Sequence, residues 1–192
     1  MHSKARIVIF ASGGGSNAEE IIKYFRNHSA IDVVLVLSNN PDAYVLERAG
    51  KFGIESRVFN RQQFKEPDVI LGLLQEKKVT HIVLAGFLWL IPEYLVNAFP
   101  DHIINIHPAL LPKYGGKGMY GMKVHEAVRG SNEKETGITI HLVNNKYDEG
   151  RVLFQAKCDI ESGDTAEQIA SKVHLLEYES YPRTIERWIV AG

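Results

Sequence analysis

Asn105 and His107 stand two apart in the run Ile104-Asn105-Ile106-His107-Pro108. On a β-strand, residues two apart leave from the same face, so this carboxamide and imidazole would point together. Both groups carry N–H donors suited to a developing oxyanion, and an imidazole also moves protons near neutral pH. On these residues alone, a catalytic pair and a histidine that caps a strand end and bonds the following loop remain alternatives. A second feature is Ser12-Gly13-Gly14-Gly15-Ser16-Asn17, between an apolar run and a helical pattern. Glycines there let the backbone approach a ligand, and free N–H groups at a helix start favour a phosphate. Ser16 and Asn17 are expected to cap that helix or to donate to the same anion. The loop lacks the dinucleotide fingerprint, because Ala18 stands where its last glycine belongs, and no Gly-Lys-Ser/Thr follows. A tight turn that binds nothing is the other reading. The third feature is the acidic loop Asn144 to Gly150, where Asp148 or Glu149 could orient an imidazole or accept a proton, or simply form a solvated turn.

The other candidates are weaker. Phe87 and Trp89 follow Ala85-Gly86 and would either line a pocket for a flat heterocycle or pack in the core. His174 precedes Glu177 by three residues on a helical pattern, so the two share a face. His2, His28 and His102 read as exposed, His81 as preceding a strand, and His125 as part of a short helix. His141 reads as a satisfied core residue within a strand. Neither a second histidine nor a cysteine stands near His107 at metal-ligand spacing, so no metal is expected. The single cysteine, Cys158, allows no internal disulfide and suits a reducing compartment. It reads as a structural thiol on an alternating strand, not as a nucleophile.

These residues need a frame to hold them. Short β-branched runs at Ile7–Phe10, Val33–Leu37, Ser56–Phe59, His81–Leu84 and Ile103–Ile106 alternate with helical patterns. The helices are predicted over Asn17–Arg26, Tyr44–Phe52 and Phe64–Lys77, with another opened by Pro92 in its first turn. The strands are nearly continuous in apolar residues, which implies burial on both faces in a parallel sheet covered by helices. Pro108 to Gly121 should form a long ordered loop, followed by a helix at Met122–Arg129. Strands at Gly137–Val143 and Arg151–Ile160 come next, then a long C-terminal helix over Thr165–Ile189 with Pro182 as a candidate kink. The fold class expected is α/β, a single doubly wound domain over residues 1–192 with a mostly parallel sheet. The predicted strand that ends at His107 is central, and open α/β sheets place their sites at such carboxyl ends.

Composition narrows the function classes. A net charge of −1 and the lack of a lysine/arginine run argue against a nucleic-acid partner. The apolar run Ile7 to Ala11 is too short for a signal-peptide core, and Ile82 to Ile91 is about half a membrane span. A cytoplasmic protein without a membrane partner is expected.

Together the glycine loop, Leu84-Ala85-Gly86-Phe87, the segment Asn105-Ile106-His107-Pro108-Ala109-Leu110-Leu111-Pro112-Lys113-Tyr114 and Asp148 resemble the folate-dependent formyltransferases. The likeness runs from Ile7 to about Trp188, and the glycine loop points to the branch that acts on glycinamide ribonucleotide. It implies a Rossmann-like fold whose N-terminal half binds phosphate and substrate and whose C-terminal half binds folate and carries catalysis. It implies Asn105, His107 and Asp148 as catalytic residues, with protonated His107 adding charge and Asp148 raising its pKa. It further implies Gly14, Gly15, Ser16 and Asn17 around the phosphate, Glu177 on the ribose hydroxyls, and His174 as an assisting ligand. Leu88, Trp89, Leu90, Ile91, Asn144 and Tyr147 would border the pterin pocket. The co-substrate implied is 10-formyltetrahydrofolate, with no metal, in a monomer or homodimer serving purine (IMP) biosynthesis. Gly115–Gly121 makes this loop longer than in familiar bacterial relatives, and their loop histidine finds no matched position. Glu149-Gly150-Arg151 replaces their glycine pair and proline. Another amine acceptor such as an amino-sugar nucleotide, the related formyl-folate hydrolase, and a non-catalytic phosphate-binding module are the competing readings. The length leaves little room for the regulatory domain of that hydrolase.

Overall fold

A computed structural model describes residues 4–191; His2 lies outside the described residues. Its elements run β1 (Ala5–Phe10), α1 (Ser16–Phe25), β2 (Ile31–Ser38), α2 (Tyr44–Lys51), β3 (Ser56–Val58), α3 (Pro67–Glu76) and β4 (His81–Leu84). They continue with α4 (Glu93–Ala98), β5 (Ile103–His107), α5 (Met122–Gly130), β6 (Glu135–Leu142), β7 (Val152–Asp159) and α6 (Ala166–Val190). One sheet orders the strands β3-β2-β1-β4-β5-β6-β7. The first five pair in parallel, and β6 and β7 add antiparallel to the β5 edge. This is the α/β, mostly parallel, doubly wound class expected. The order reverses between β1 and β4, the kind of switch point where the carboxyl ends of strands open a crevice.

β1 shows why the sheet is covered on both sides. Ile7 and Ile9 pack with Ile21, Ile22 and Phe25 of α1, Val45 and Ala49 of α2, and Ile169, Val173 and Ile185 of α6. Val8 and Phe10 turn to the other face and meet Ile70 and Leu74 of α3 and Leu95 of α4. All four β1 side chains are fully buried, each worth roughly 1.5–3 kcal/mol of transfer free energy. Tyr181 of α6 is fully buried as well, and its hydroxyl donates to the carbonyl oxygens of Leu84 (2.8 Å) and Ile104 (3.3 Å). That one phenol ties the long helix to the two strands whose ends carry the site.

Some boundaries differ from expectation. The helix predicted over Phe64–Lys77 is instead a 3-10 turn at Gln63–Lys65 and then α3 from Pro67. Pro67 drives Glu66 out of the helical region (φ −94°, ψ 105°) and itself takes the first helical position. Pro92 caps α4 from just outside the helix and does not sit in its first turn. α6 runs through the buried Pro182 as one helix. Its start is fixed by reciprocal bonds between Thr165 and Gln168: the Thr165 hydroxyl accepts from the Gln168 amide, and the Gln168 side chain from the Thr165 amide. No described helix is long and apolar enough to cross a membrane.

His81 opens β4 at the end of the sheet away from the crevice, its ring packed on His102 and Trp188 at 4.7 and 4.9 Å between centroids. Burial, and then His102, push its pKa from the ordinary 6.5 down to about 4. Between those two values the unfolded chain binds more protons than the native one. Native stability therefore falls as the pH drops from about 6.5 to about 4, and this residue adds no further loss below that. A His81→Phe variant is expected to lose less of its thermal midpoint over this interval than the wild type does, as read by circular dichroism melts. Equal losses would contradict the assignment.

Candidate active site

The carboxyl end of β1 feeds the glycine loop directly into α1. Gly15 caps the helix in the left-handed region (φ 73°), where a Cβ would also collide with Val45 of α2. The Gly13 carbonyl accepts from the Val45 amide at 3.1 Å, and the Gly14 carbonyl from Arg48 Nε at 2.8 Å. These bonds turn the loop carbonyls toward α2 and leave the start of α1 with no side-chain cap. Of the two expectations for Ser16 and Asn17, the helix cap is not made: Ser16 is the helix's first residue, and Asn17 Nδ2 donates to Glu177 Oε2 at 2.8 Å. The Ser12 hydroxyl accepts from the Leu88 amide at 3.0 Å, joining this loop to the one after β4.

The carboxyl end of β5 carries Asn105 and His107, and both line the crevice as their spacing predicts. The antiparallel register of β6 sets His141 opposite Asn105 and Thr139 opposite His107. The His141 ring bonds the Leu142 carbonyl through Nδ1 at 2.8 Å, which places a proton on Nδ1 and leaves Nε2 to accept from Asn105 Nδ2 at 3.1 Å. The orientation of the Asn105 amide is thereby fixed, with its second hydrogen uncommitted. Thr139 donates to the Ala109 carbonyl (2.7 Å) and accepts from the Leu111 amide (2.9 Å), pinning the loop that follows β5.

Asp148 enters this cluster from the β6–β7 connection in a left-handed conformation (φ 56°). Its Oδ2 accepts from the Gly116 amide at 2.9 Å and lies 3.5 Å from His107 Nδ1, and its Oδ1 lies 3.5 Å from His141 Nε2. His107 Nε2 donates to the Tyr114 carbonyl at 2.7 Å. One carboxylate thus faces two imidazoles, with Asn105 beside them. Burial pushes the Asp148 carboxyl up, but His141, His107 and the Gly116 amide together hold it below the ordinary 3.8. Burial pushes His107 down; Asp148 and the Tyr114 carbonyl push it up, and the balance stays below 6.5. Asp148 acts in the expected direction, but burial outweighs it. The reason is a side chain only 4% exposed.

A crevice of about 760 Å³ runs past these residues, a size ordinary for a small-molecule site. Its lining includes Gly14, Gly15, Ser16, Asn17, His174 and Glu177, and also Leu88, Trp89, Leu90, Ile91 and Tyr147. Both readings of Phe87 and Trp89 hold at once, since they line the crevice and pack against Phe59 and Phe64. Asn144 is the exception among the expected residues. It does not line the crevice: its Nδ2 donates to the Glu149 carbonyl and its Oδ1 accepts from the Lys146 amide, so it braces the loop that presents Asp148. Glu177 is 5% exposed; burial raises its pKa against the opposing effects of Asn17 and then His174.

Two site residues escaped the sequence reading. His141 was expected in the core, yet Thr139 and His141 repeat the two-residue polar spacing of Asn105 and His107, and that repetition was the available signal. His125 was expected only as part of a short helix. It is 2% exposed and lines the crevice from α5, a placement set by long-range packing of α5 on α6.

Residues 5–185 match the family described as formyl transferase. The chain is similar to a chloroplastic phosphoribosylglycinamide formyltransferase of Arabidopsis thaliana, 40% identical over 95% of this chain and 64% of that protein. It is also similar to the phosphoribosylglycinamide formyltransferase of Bacillus subtilis (strain 168), 34% identical over 95% of this chain and 93% of that one. The chain thus spans about two thirds of the Arabidopsis protein, and it covers 60% of the similar protein from Vigna unguiculata. Among solved structures, a phosphoribosylglycinamide formyltransferase of Brucella melitensis superposes with a TM-score of 0.88 at 36% identity, covering 99% of this chain and 97% of that one.

The balance of effects on His107 can be measured. Its imidazole is expected to titrate below 6.5 by NMR, and an Asp148→Asn variant, lacking the one nearby negative charge that raises it, should titrate lower still. A His107 that titrates above 6.5, or one that rises in Asp148→Asn, would contradict this electrostatic account.

Proposed function

The chain belongs to the formyl transferase family, and from that premise we propose that it moves the formyl group of 10-formyltetrahydrofolate onto the amine of glycinamide ribonucleotide, a step of purine (IMP) biosynthesis. The observation that carries this reading is the cluster of Asn105, His107, His141 and Asp148 in a crevice that is also lined by an anion-favouring helix start and by the apolar residues Leu88 to Ile91. In this reading Gly14, Gly15, Ser16 and Asn17 hold the phosphate, with His174 assisting, and Glu177 accepts from the ribose hydroxyls. Leu88, Trp89, Leu90, Ile91 and Tyr147 border the pterin, and Asn144 acts through the loop it braces. The whole chain works as one domain, the N-terminal half binding the ribonucleotide and the C-terminal half binding folate and carrying the chemistry. We propose a cytoplasmic monomer or homodimer acting on small molecules without a metal.

The reaction starts when the amine nitrogen attacks the formyl carbon and the carbonyl electrons move onto oxygen. Asn105 has one amide hydrogen committed to His141, and the other donates to that oxyanion. Burial disfavours a charged His107 while the crevice is empty. A negative oxygen formed beside it offsets that cost, so the ring can take up, in passing, the one proton that the attacking amine gives up. Asp148, held ionised, balances the imidazolium and relays the amine proton toward the folate N10. The adduct collapses as the carbon–N10 bond breaks and N10 takes the proton. Holding both substrates in one crevice supplies proximity.

The direct experiment mixes purified protein with 10-formyltetrahydrofolate and follows the deformylated folate by absorbance, with and without glycinamide ribonucleotide. Release that requires the ribonucleotide is expected. Release without it identifies a hydrolase, and no release points to another amine acceptor. Asn105→Ala should lower kcat by roughly 10²–10³-fold, the usual effect of losing one oxyanion donor. Asp148→Asn should also lose most turnover, and both variants should melt within a few degrees of the wild type. Near-normal turnover in either would remove the mechanism.

A further inference from the structure

Asn105, His107, His141 and Asp148 each have a polar partner, whereas His125 has none among the described residues. It sits in the first turn of α5, it is 2% exposed, and no hydrogen bond to its ring occurs among the described residues. Its Nδ1 is fully buried, and leaving such an atom unbonded costs stability. An apolar ring such as phenylalanine would fill the same volume without that cost. A buried imidazole kept without a protein partner on the wall of a crevice is one whose partner arrives with the ligand.

Its neighbours say which part of the ligand. The His125 ring stands edge to face with His174 of α6 at 6.4 Å between centroids. His174 Nε2 lies 4.0 Å from Glu177, which accepts from Asn17 at the start of α1. His125 thus stands beside the group that Glu177 and the start of α1 form on the crevice wall. Burial, then His174 and His107, push its pKa down to about 4, so at neutral pH the ring is uncharged, with one N–H and one lone pair. Such a ring suits an oxygen-rich group, offering a hydrogen to a phosphate or hydroxyl oxygen.

We propose that His125 hydrogen-bonds the phosphoribosyl part of the substrate and is a specificity residue for it, on a helix presented by the long loop after β5. This rests on the proposed phosphoribosyl-amine substrate and adds a contact that neither the glycine loop nor Glu177 supplies. The residue binds and orients; it makes and breaks no bond.

The test uses the full chain and ribose 5-phosphate, titrated by calorimetry into the wild type, His125→Phe and His125→Asn. The phenylalanine keeps the ring's volume and removes both nitrogens, and the asparagine returns an N–H donor near the Nδ1 position. The expected result is roughly tenfold or more weaker binding in His125→Phe, as for loss of a bond to a charged group. His125→Asn should recover much of that loss, and binding of 10-formyltetrahydrofolate should stay within about twofold of wild type in both variants. Unchanged ribose 5-phosphate binding in His125→Phe overturns the proposal. So does weakened binding of both ligands alike, a loss that asparagine does not recover in a variant that still melts cooperatively, or a wild type that fails to bind ribose 5-phosphate. A protein that binds ribose 5-phosphate through His125 yet does not formylate glycinamide ribonucleotide would sink the proposed activity and leave this contact standing.

Discussion

A carboxylate taken out of water must be given hydrogen-bond donors or positive charge, and the crevice is organised around meeting that demand for Asp148. The Gly116 amide is one donor, and two imidazoles from distant parts of the chain, His107 at the end of β5 and His141 on β6, come within 3.5 Å of the carboxylate, where a proton on either ring would serve it. Bringing them to one point fixes the antiparallel addition of β6 to β5, the course of the loop after β5, and the left-handed turn at Asp148 itself. The neighbouring glycines are consequences of the same crowding. A Cβ on Gly115 would press on Leu111 and Asp148, and one on Gly150 would run into the Leu142 carbonyl.

The rest of the fold supplies positions for that cluster. Parallel strands β1, β4 and β5 end at one edge, so the phosphate-favouring helix start, the apolar rim and the reactive residues open into one crevice. Tyr181 ties α6 to the carbonyls of β4 and β5, and one turn earlier the same helix presents Glu177 to Asn17. A change in α6 would therefore reach both the sheet and the ribonucleotide end of the crevice.

What the sequence made legible follows from the range of the interactions involved. The pairing of Asn105 with His107 depends only on the two-residue repeat of a strand, and the glycine loop only on its place between strand and helix. The shared face of His174 and Glu177 depends only on helical spacing. His141 depends on which strand pairs with β5 and in what register, and His125 on how α5 lies against α6, neither of which local periodicity encodes. Local rules also misled where two of them competed. The apolar pattern of Phe64–Lys77 looked continuous, but Pro67 restarts the helix. Ser16 and Asn17 have favoured capping side chains, but Gly15 takes the cap, because only a glycine fits against Val45 in that conformation. That Asp148 raises its partner histidine was legible and holds; the depth of burial that outweighs it is a property of the assembled sheet.

The most direct measurement of the central claim is a crystal structure of this protein holding a stable tetrahedral analogue in which folate N10, the former formyl carbon and the ribonucleotide amine are joined. The account predicts the analogue's oxygen within hydrogen-bond distance of Asn105 Nδ2 and of the His107 ring, with Asp148 against the attacking nitrogen and the phosphate at the start of α1. An analogue bound in the opposite sense, or one whose oxygen faces solvent away from Asn105 and His107, would contradict it.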